Sequence, residues 1–235
     1  MTFNDHIATS EALLINAMEQ FRDANISDLI LDLRYNGGGF LDIASELGYM
    51  IAGPQAATGR VFENLQFSDK HPDFNPVTGE QLVDRPFKTT TQGFSVNPGS
   101  PLPTINLPRL FVLTGPRTCS ASESLMNGLR GIDIEIIQIG NTTCGKPYGF
   151  YPFDNCGTTY FSIQFGGVNE KGFIAGMAML GGTVTGTIAF VEAMLWLGKT
   201  IIKHYGKLIV GMAAYGLFMV ALSLGAPILA DAMNK

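Results

Sequence analysis

An apolar segment that runs directly into a cluster of small and hydroxyl-bearing residues is the most constraining feature of this sequence. Residues 110–114 have the length and composition of a buried strand. They are followed at 118–123 by Thr-Cys-Ser-Ala-Ser-Glu, and a helix is predicted over 123–129. Hydroxyls in such a turn most often act as helix N-caps. The same turn also places side chains at a helix N-terminus, where free N–H groups and a partial positive charge are available.

Two other apolar segments end in turns that carry distinctive residues. Residues 29–33 form a predicted strand that leads into three glycines at 37–39, and residues 134–140 form another that precedes Lys146. Because α/β folds bind ligands at the carboxyl ends of their strands, these turns are expected to lie near the serine-rich turn. A serine, a lysine that burial can neutralise, and a glycine turn with spare N–H groups are the components of an acyl-transfer site.

The segments between these strands complete an α/β pattern. Apolar residues recur at helical spacing over 10–24, with Ser10 as the expected N-cap, and again over 41–52. Further along, residues 148–153 and 158–165 predict a β-hairpin. Alternation of helix and strand favours a mixed or parallel sheet with helices packed on it.

Glycine triplets also occur in phosphate-binding loops. The residues around Gly37–Gly39 argue against a phosphate-binding role. No Gly-Lys-Ser/Thr follows the triplet, and no acidic residue stands at the spacing typical of a dinucleotide site. The net charge of −5 and the absence of a Lys/Arg cluster in the sequence argue against a nucleic-acid partner.

Three motifs occur in a specific order: Asp-Leu-Arg-x-Asn-x-Gly-Gly at 32–39, Ser-Ala-Ser-Glu at 120–123 and Thr-x-Gly-Lys at 143–146. In this order they resemble the C-terminal processing (tail-specific) serine–lysine peptidases, over about residues 1–173. The resemblance implies a crotonase/Clp-protease-like core of mixed β-sheet with helices. It further implies a serine-type endopeptidase that hydrolyses polypeptide substrates and uses no cofactor or metal.

The resemblance also assigns roles to particular residues. Ser120 is the expected nucleophile and Lys146 the expected general base, which must be neutral to accept a proton. The N–H groups of Gly38 and Ala121 are the expected oxyanion hole. Ser122 is the competing nucleophile, and the first serine of the motif is preferred over it.

One departure from the family pattern concerns the third catalytic residue. Family members often carry a glutamine four residues beyond the lysine, and this chain has Phe150 there. Glu123 and His6 are candidates for that role by residue type alone. Arg34 and Asn36 are expected to brace the glycine turn rather than to react.

The three cysteines are Cys119, Cys144 and Cys156, and their spacing matches no zinc motif. A disulfide between Cys144 and Cys156 is predicted if the protein is exported, because a Gly- and Pro-containing hairpin separates them. The alternative is three reduced thiols. Cys119 is a further candidate nucleophile, but the sequence places no histidine near it, which argues against this role.

The chain divides into a core and a hydrophobic tail. Residues 1–173 form the predicted catalytic core, within which the loop-rich segment 53–108 is expected either to cover one side of the site or to be a variable surface insertion. Residues 174–235 predict a two-helix membrane hairpin with membrane contact through 174–230, because two apolar stretches flank a basic loop. A soluble helical pair and a foreign fusion are the alternatives.

The first residues lack the basic start and apolar core of a secretory signal peptide. The chain therefore either lacks its leader or stays inside the cell. The resemblance favours the first and predicts the bacterial periplasm or cell envelope, with membrane association. Two other functions stay open: a catalytically inactive peptide-binding or membrane-anchored module, and a small membrane or pilus-like subunit, inferred from the tail alone.

Overall fold

The computed structural model describes residues 1–175 of the 235-residue chain. Helices are interspersed with strands as far as residue 140, as the sequence predicts, and only strands follow over residues 141–168. In chain order the elements are α1 (Ser10–Asp23), β1 (Ile30–Asp32), α2 (Leu41–Ala52), α3 (Pro54–Ala57), β2 (Asn64–Gln66), β3 (Arg109–Thr114), α4 (Ala121–Gly131), β4 (Glu135–Gly140), β5 (Tyr148–Gly149), β6 (Phe153–Asn155), β7 (Thr158–Tyr160) and β8 (Phe165–Val168).

The sheet that carries the three predicted turns is parallel and has the order β1-β3-β4. Its apolar residues alternate between its two faces, and Leu31, Leu110 and Val112 are fully buried. Because the strands are parallel, their carboxyl ends lie at one edge of the sheet. The glycine turn after β1 and the serine turn after β3 therefore meet at that edge.

The helices begin and end close to where the sequence places them. Helix α2 has the predicted bounds, and it packs against α4. Helix α1 begins at Ser10, but the N-cap position is Thr9 rather than Ser10. The Ser10 hydroxyl donates a hydrogen bond to the carbonyl of Asp5 at 2.8 Å and so caps no helical N–H, which corrects the expectation for this residue.

The predicted hairpin at 148–165 is only partly correct. Strands β6 and β7 form a short hairpin, and Cys156 and Gly157 lie between them with φ of 48° and 75°. Positive φ at both central residues is typical of the type I′ turn, whose twist matches that of paired strands. The outer parts of the segment instead join a second, antiparallel sheet of order β2-β8-β5.

The loop-rich segment 53–108 contributes to the core. Its side chains Phe62, Phe87, Leu102 and Leu107 are buried among those of the helices and the parallel sheet. Its polar backbone is also held, since the buried Glu11 carboxylate accepts hydrogen bonds from N–H groups over 92–96. The segment is thus an integral layer of the fold.

The predicted membrane hairpin lies almost entirely outside the described residues. Within residues 1–175, no helix has the length and apolar character needed to cross a bilayer. The predicted division at residue 173 and the transmembrane interpretation of the tail stay predictions.

Candidate active site

A cavity of about 490 Å³ lies where the turns after β1, β3 and β4 converge. Its volume is in the range of about 300–1,000 Å³ that is typical of ligand pockets. Both Ser120 and Lys146 line it, as do Gly37 and Gly39 of the glycine turn. The structure therefore brings the predicted nucleophile and the predicted base to one cavity, and their catalytic roles stay predictions at this point.

Ser120 occupies a strained backbone position immediately before α4. Its φ of 56° and ψ of −119° are rare for a residue with a side chain and cost about 1–3 kcal/mol. Thr118 holds the turn in place, since its hydroxyl donates to the carbonyl of Leu33 at 2.7 Å and accepts the N–H of Gly115 at 3.0 Å. Strain that the surrounding structure maintains in this way is typical of functional turns.

The glycine turn packs directly against the serine turn. Gly38 has a φ of +100°, and a Cβ built on it would lie 2.7 Å from both the carbonyl oxygen of Cys119 and the Cβ of Ser120. Any other residue at this position would push the two turns apart. Glycine is therefore required here both by its backbone conformation and by the close approach.

Asn36 connects the two turns, which agrees with its expected bracing role. Its side-chain amide donates to the carbonyl of Phe3 at 3.0 Å, and its backbone carbonyl accepts the N–H of Cys119 at 3.1 Å. Arg34 braces the same turn from outside through a two-pronged contact with Asp32, at 3.0 and 2.7 Å.

The oxyanion-hole prediction needs a correction at Gly38. The Gly38 N–H donates to the side-chain oxygen of Asn36 at 2.9 Å, because the asparagine side chain folds back over its own turn. Within residues 1–175, the N–H groups of Gly37, Gly39 and Ala121 have no hydrogen-bond acceptor. Ala121 therefore has the available N–H that the prediction requires, whereas the Gly38 N–H is already in use.

Glu123 joins the segment that carries the serine to the segment that carries the lysine. Its carboxylate is fully buried, and each oxygen accepts two hydrogen bonds. One oxygen accepts the Thr143 hydroxyl at 2.6 Å and the Gly145 N–H at 2.8 Å. The other accepts the N–H groups of Ser120 at 2.9 Å and Lys146 at 3.0 Å. The carboxylate therefore binds the backbone N–H groups of both predicted catalytic residues and holds their two segments together.

The disulfide prediction is wrong in its pairing. Cys144 is bonded to Cys119, with 5.2 Å between their Cα atoms, and Cys156 is free and exposed. The Cys144 N–H donates to the carbonyl of Thr118 at 2.9 Å, which brings the two cysteines side by side, whereas Cys156 lies in the β6–β7 turn. The disulfide also removes Cys119 as a nucleophile, since its sulfur has no free thiolate.

The same disulfide decides how one potential metal site is interpreted. Among the described residues, Cys119, Glu123 and Cys144 form the one trio with ligand atoms close enough to hold an ion. The two sulfurs are bonded to each other, and thiolate is the form of cysteine that ligates metals. This trio therefore does not fit a metal.

Lys146 is half-buried, and its side chain lies against an aromatic ring. The Nζ atom is 4.6 Å from the centroid of the Phe150 ring, at the position where the family pattern expects glutamine. Phe150 in turn packs edge to face against Phe161, with 5.4 Å between ring centroids. The residue that departs from the family pattern therefore contacts the predicted base directly.

The remaining candidates lie behind the cavity wall. Ser122 is fully buried and donates its hydroxyl to the carbonyl of Asn36 at 3.2 Å. His6 is also fully buried, and its Nδ1 contacts the side-chain oxygen of Asn36 at 3.0 Å. Burial lowers the pKa of His6 to about 4, so its ring is neutral near pH 7. Neither side chain is among those that line the cavity.

Sequence reasoning missed the polar residues of the cavity's inner wall. Asp42, Glu63, Arg85 and Ser124 all line it. Burial raises the pKa of the Glu63 carboxyl, against the opposing effects of a 2.8 Å hydrogen bond from Ser124 and the charge of Arg85. Two of the four belong to segment 53–108, where no motif marks them. The only signal available was the expectation that this segment covers the site.

Comparisons with known proteins agree with this architecture. The family model described as "Peptidase family S41" matches residues 2–153. The solved structure of a protein described as an S41 protease from Bacteroides fragilis is 23% identical with a TM-score of 0.59, and the match covers 73% of this chain and 42% of that protein. The photosystem II D1 C-terminal processing protease is 18% identical with a TM-score of 0.49, and the match covers 74% of this chain and 38% of that protein.

The chain thus spans about two fifths of the length of these two proteins. The similarity to the Bacteroides fragilis structure shows a shared fold. No curated protein sequence matches the chain significantly. Because the family model covers more than half of the chain, the resemblance drawn from the three motifs is confirmed, and the chain belongs to peptidase family S41.

Proposed function

We propose that this chain is the core of a serine endopeptidase in which Ser120 is the nucleophile and Lys146 the general base. The observation that carries the proposal is that both residues line one cavity while one buried carboxylate, Glu123, binds the N–H groups of both. Membership of peptidase family S41 supports peptide-bond hydrolysis as the reaction.

In the proposed reaction the Ser120 hydroxyl attacks the carbonyl carbon of the scissile peptide bond and transfers its proton to the neutral Lys146 amine. The tetrahedral intermediate then collapses, and the leaving amine takes the proton from Lys146. Water, deprotonated by the same lysine, hydrolyses the acyl-enzyme and releases Ser120. Each step uses one base in alternating protonation states, as general acid–base catalysis requires.

The developing oxyanion requires preorganised N–H donors, each worth about 3–4 kcal/mol in serine proteases. Ala121 supplies the first, since its N–H is at the start of α4 and has no acceptor among the described residues. The second comes from the glycine turn, where Gly37 and Gly39 line the cavity. Gly38 serves only if Asn36 releases its N–H.

One observation favours a second candidate, a catalytically inactive peptide-binding module. The Phe150 ring lies over the Lys146 Nζ atom, and an aromatic face stabilises an ammonium group rather than a neutral amine. A lysine held in its charged form cannot accept the proton from Ser120. The cavity would then hold a peptide without cleaving it.

Covalent labelling with a serine-reactive fluorophosphonate distinguishes the two. We expect the unmodified chain and Ser122→Ala to be labelled, and Ser120→Ala and Lys146→Ala not to be. Ser122→Ala is the matched control, because Ser122 lies two residues away but points its hydroxyl at the Asn36 carbonyl. A folded, unlabelled wild-type chain would exclude the peptidase and favour the peptide-binding module.

We also propose a setting outside the cytoplasm, in the bacterial periplasm or cell envelope, with membrane contact through residues 174–230. The Cys119–Cys144 disulfide supports the compartment, since structural disulfides persist mainly in oxidising environments. Membrane contact is proposed from the two apolar stretches of the sequence alone. Alkylation of thiols in intact cells, followed by fractionation, tests the compartment. An envelope fraction in which both cysteines are protected is expected, and a cytoplasmic fraction with both thiols alkylated would contradict it.

A further inference from the structure

The inner wall of the cavity carries charged groups that the hydrolytic steps above do not use. Asp42, Glu63 and Arg85 line the same cavity as Ser120 and Lys146. Arg85 is held in place by its backbone, since its carbonyl accepts the N–H of Phe62 at 2.9 Å and its N–H donates to the Asn64 side chain at 2.9 Å. Its position in the wall is therefore fixed by the pairing of two chain segments.

The Arg85 guanidinium has donors to spare. An arginine offers five N–H groups, and within residues 1–175 the Arg85 side chain makes one hydrogen bond, to Asp42 at 3.4 Å. That distance is longer than a charge-assisted hydrogen bond, which is usually about 2.7–2.9 Å. The guanidinium therefore retains the capacity to bind a second, better placed acceptor.

Asp42 is the one carboxylate that pairs with Arg85 within residues 1–175, and it is shared. The Lys88 Nζ atom is 3.7 Å from the same carboxylate oxygen, although Lys88 is not among the residues that line this cavity. Glu63 is only 5% exposed, and burial raises its pKa against the opposing charge of Arg85. Because Asp42 is divided between two cations, it neutralises Arg85 incompletely, and an incoming carboxylate can complete the pairing.

Aromatic residues surround the rest of the cavity. Phe40, Tyr148, Phe150, Tyr151 and Phe165 all contribute to its lining. Apolar walls reduce the local dielectric constant and strengthen a charge–charge contact made inside them. A carboxylate that enters between these rings would therefore interact with Arg85 more strongly than it would at the open surface.

We propose that Arg85 binds a carboxylate of the peptide substrate and so selects peptides with an acidic group near the scissile bond. The planar guanidinium matches a carboxylate in two-pronged geometry. The carboxylate belongs to an aspartate or glutamate side chain of the peptide. This inference rests on the proposed peptidase function, because it names the substrate class of the same cavity.

Peptide binding to the Ser120→Ala variant tests the proposal without cleavage. The probes are fluorescent peptides of one sequence that carry Glu, Gln or Lys at successive positions, each with a free or an amidated C-terminus. We expect a Glu peptide to bind about tenfold or more tighter than its Gln counterpart, whether its C-terminus is free or amidated, as a charge-assisted contact implies. A gain that disappears on amidation would show that the free C-terminus supplies the carboxylate and would overturn the proposal.

Two further variants connect the selectivity to Arg85. Arg85→Met, added to Ser120→Ala, is expected to remove the preference for the carboxylate. Arg22→Met is the matched control, because Arg22 is an exposed residue of α1 that pairs with its neighbour Asp23, and the preference should persist. Asp42→Asn keeps the wall intact and removes the competing anion, so the preference should rise.

Equal binding of acidic and neutral peptides, a preference that survives Arg85→Met, or no measurable binding of any peptide would overturn the proposal. These outcomes are distinct from failure of the peptidase assignment, which fluorophosphonate labelling of Ser120 reports independently. A labelled enzyme with no charge preference would retain the peptidase and exclude the Arg85 subsite.

Discussion

At the scale of single residues, Glu123 connects the two halves of the candidate site, and its chemistry makes a sharp prediction. A carboxylate only accepts hydrogen bonds, and here it accepts four. In Glu123→Gln an amide NH₂ group, which is a donor, would replace one carboxylate oxygen. It would then face the two donors that this oxygen accepts from, and those two hydrogen bonds would be lost. We expect fluorophosphonate labelling of Ser120 to fall by at least about tenfold, since hydrogen bonds to a buried charge contribute about 1.5–3 kcal/mol each.

The control for this prediction is Thr143→Val, which removes one of the four bonds and leaves the N–H groups of Ser120 and Lys146 in contact with the carboxylate. It should lower stability with a much smaller effect on labelling. A positioning role also requires that Glu123→Gln lower kcat more than it raises KM. Equal labelling in the folded Glu123→Gln variant would show that Glu123 only stabilises the fold.

How far the sequence predicts this site differs from residue to residue. The positions of Ser120 and Lys146 in one cavity follow from strand–turn patterns that are local in the chain. The hydrogen bond of the Gly38 N–H cannot be predicted in this way, because its acceptor is the Asn36 side chain and the rotamer of that side chain is not set by a local pattern. Arg85 could not be predicted, since it reaches the cavity through a loop segment whose path is set by long-range pairing.

At the scale of elements, two buried carboxyls attach the loop at 92–96 to helices α1 and α2. Glu11 and Glu46 each accept the N–H of Gln92 at 2.8 Å. Burial, with the nearby charge of Glu11 as a smaller contribution, raises the pKa of Glu46 to about 8 from an ordinary value of 4.5. Burial also acts to raise the pKa of Glu11, but its four backbone N–H donors outweigh that effect and lower it.

This pair predicts how stability depends on pH. The folded chain keeps a proton on Glu46 up to about pH 8, whereas the unfolded chain loses it near pH 4.5. The stabilisation is therefore fully present below pH 4.5 and is lost as the pH rises to about 8, with a slope of at most about 1.4 kcal/mol per pH unit. Glu11 has the opposite sign and acts only as the pH falls below its ordinary value.

Glu46→Gln tests this dependence, because the glutamine amide resembles the protonated carboxyl in shape and hydrogen bonding. Thermal unfolding of the variant and the unmodified chain should coincide near pH 5, and the variant should be the more stable near pH 8. A parallel pH dependence in both chains would exclude Glu46 as the group responsible.

Element prediction succeeded where the periodic pattern is local and failed where pairing is distant. The parallel strands and the main helices follow from runs of apolar residues, and α2 has its predicted bounds. The hairpin prediction at 148–165 is only partly correct because β5 and β8 pair with each other and β8 also pairs with β2, about 100 residues earlier. Nothing in the alternation of these short strands distinguishes the two arrangements.

At the scale of the whole molecule, the Cys119–Cys144 disulfide closes a loop across α4 and β4, with a sequence separation of 25. Chain-entropy arguments give about 3–4 kcal/mol for a loop of this length. We expect the Cys119→Ala/Cys144→Ala double variant to lose stability of this order in denaturant unfolding.

Cys156→Ser is the matched control, because Cys156 is free and exposed, and it should leave the midpoint unchanged. If the double variant unfolds at the same denaturant concentration as the unmodified chain, the disulfide contributes nothing to the stability of the fold. Destabilisation by Cys156→Ser would contradict the assigned pairing.

The position of this disulfide has a consequence for what survives when the site unfolds. Cys119 precedes Ser120 directly and Cys144 stands two residues before Lys146. While the bond is intact, the serine and the lysine stay a few residues apart along the cross-linked chain even when α4 and β4 are unfolded, because the loop between them is already closed. The unfolded chain therefore keeps the two residues at a high effective concentration relative to each other.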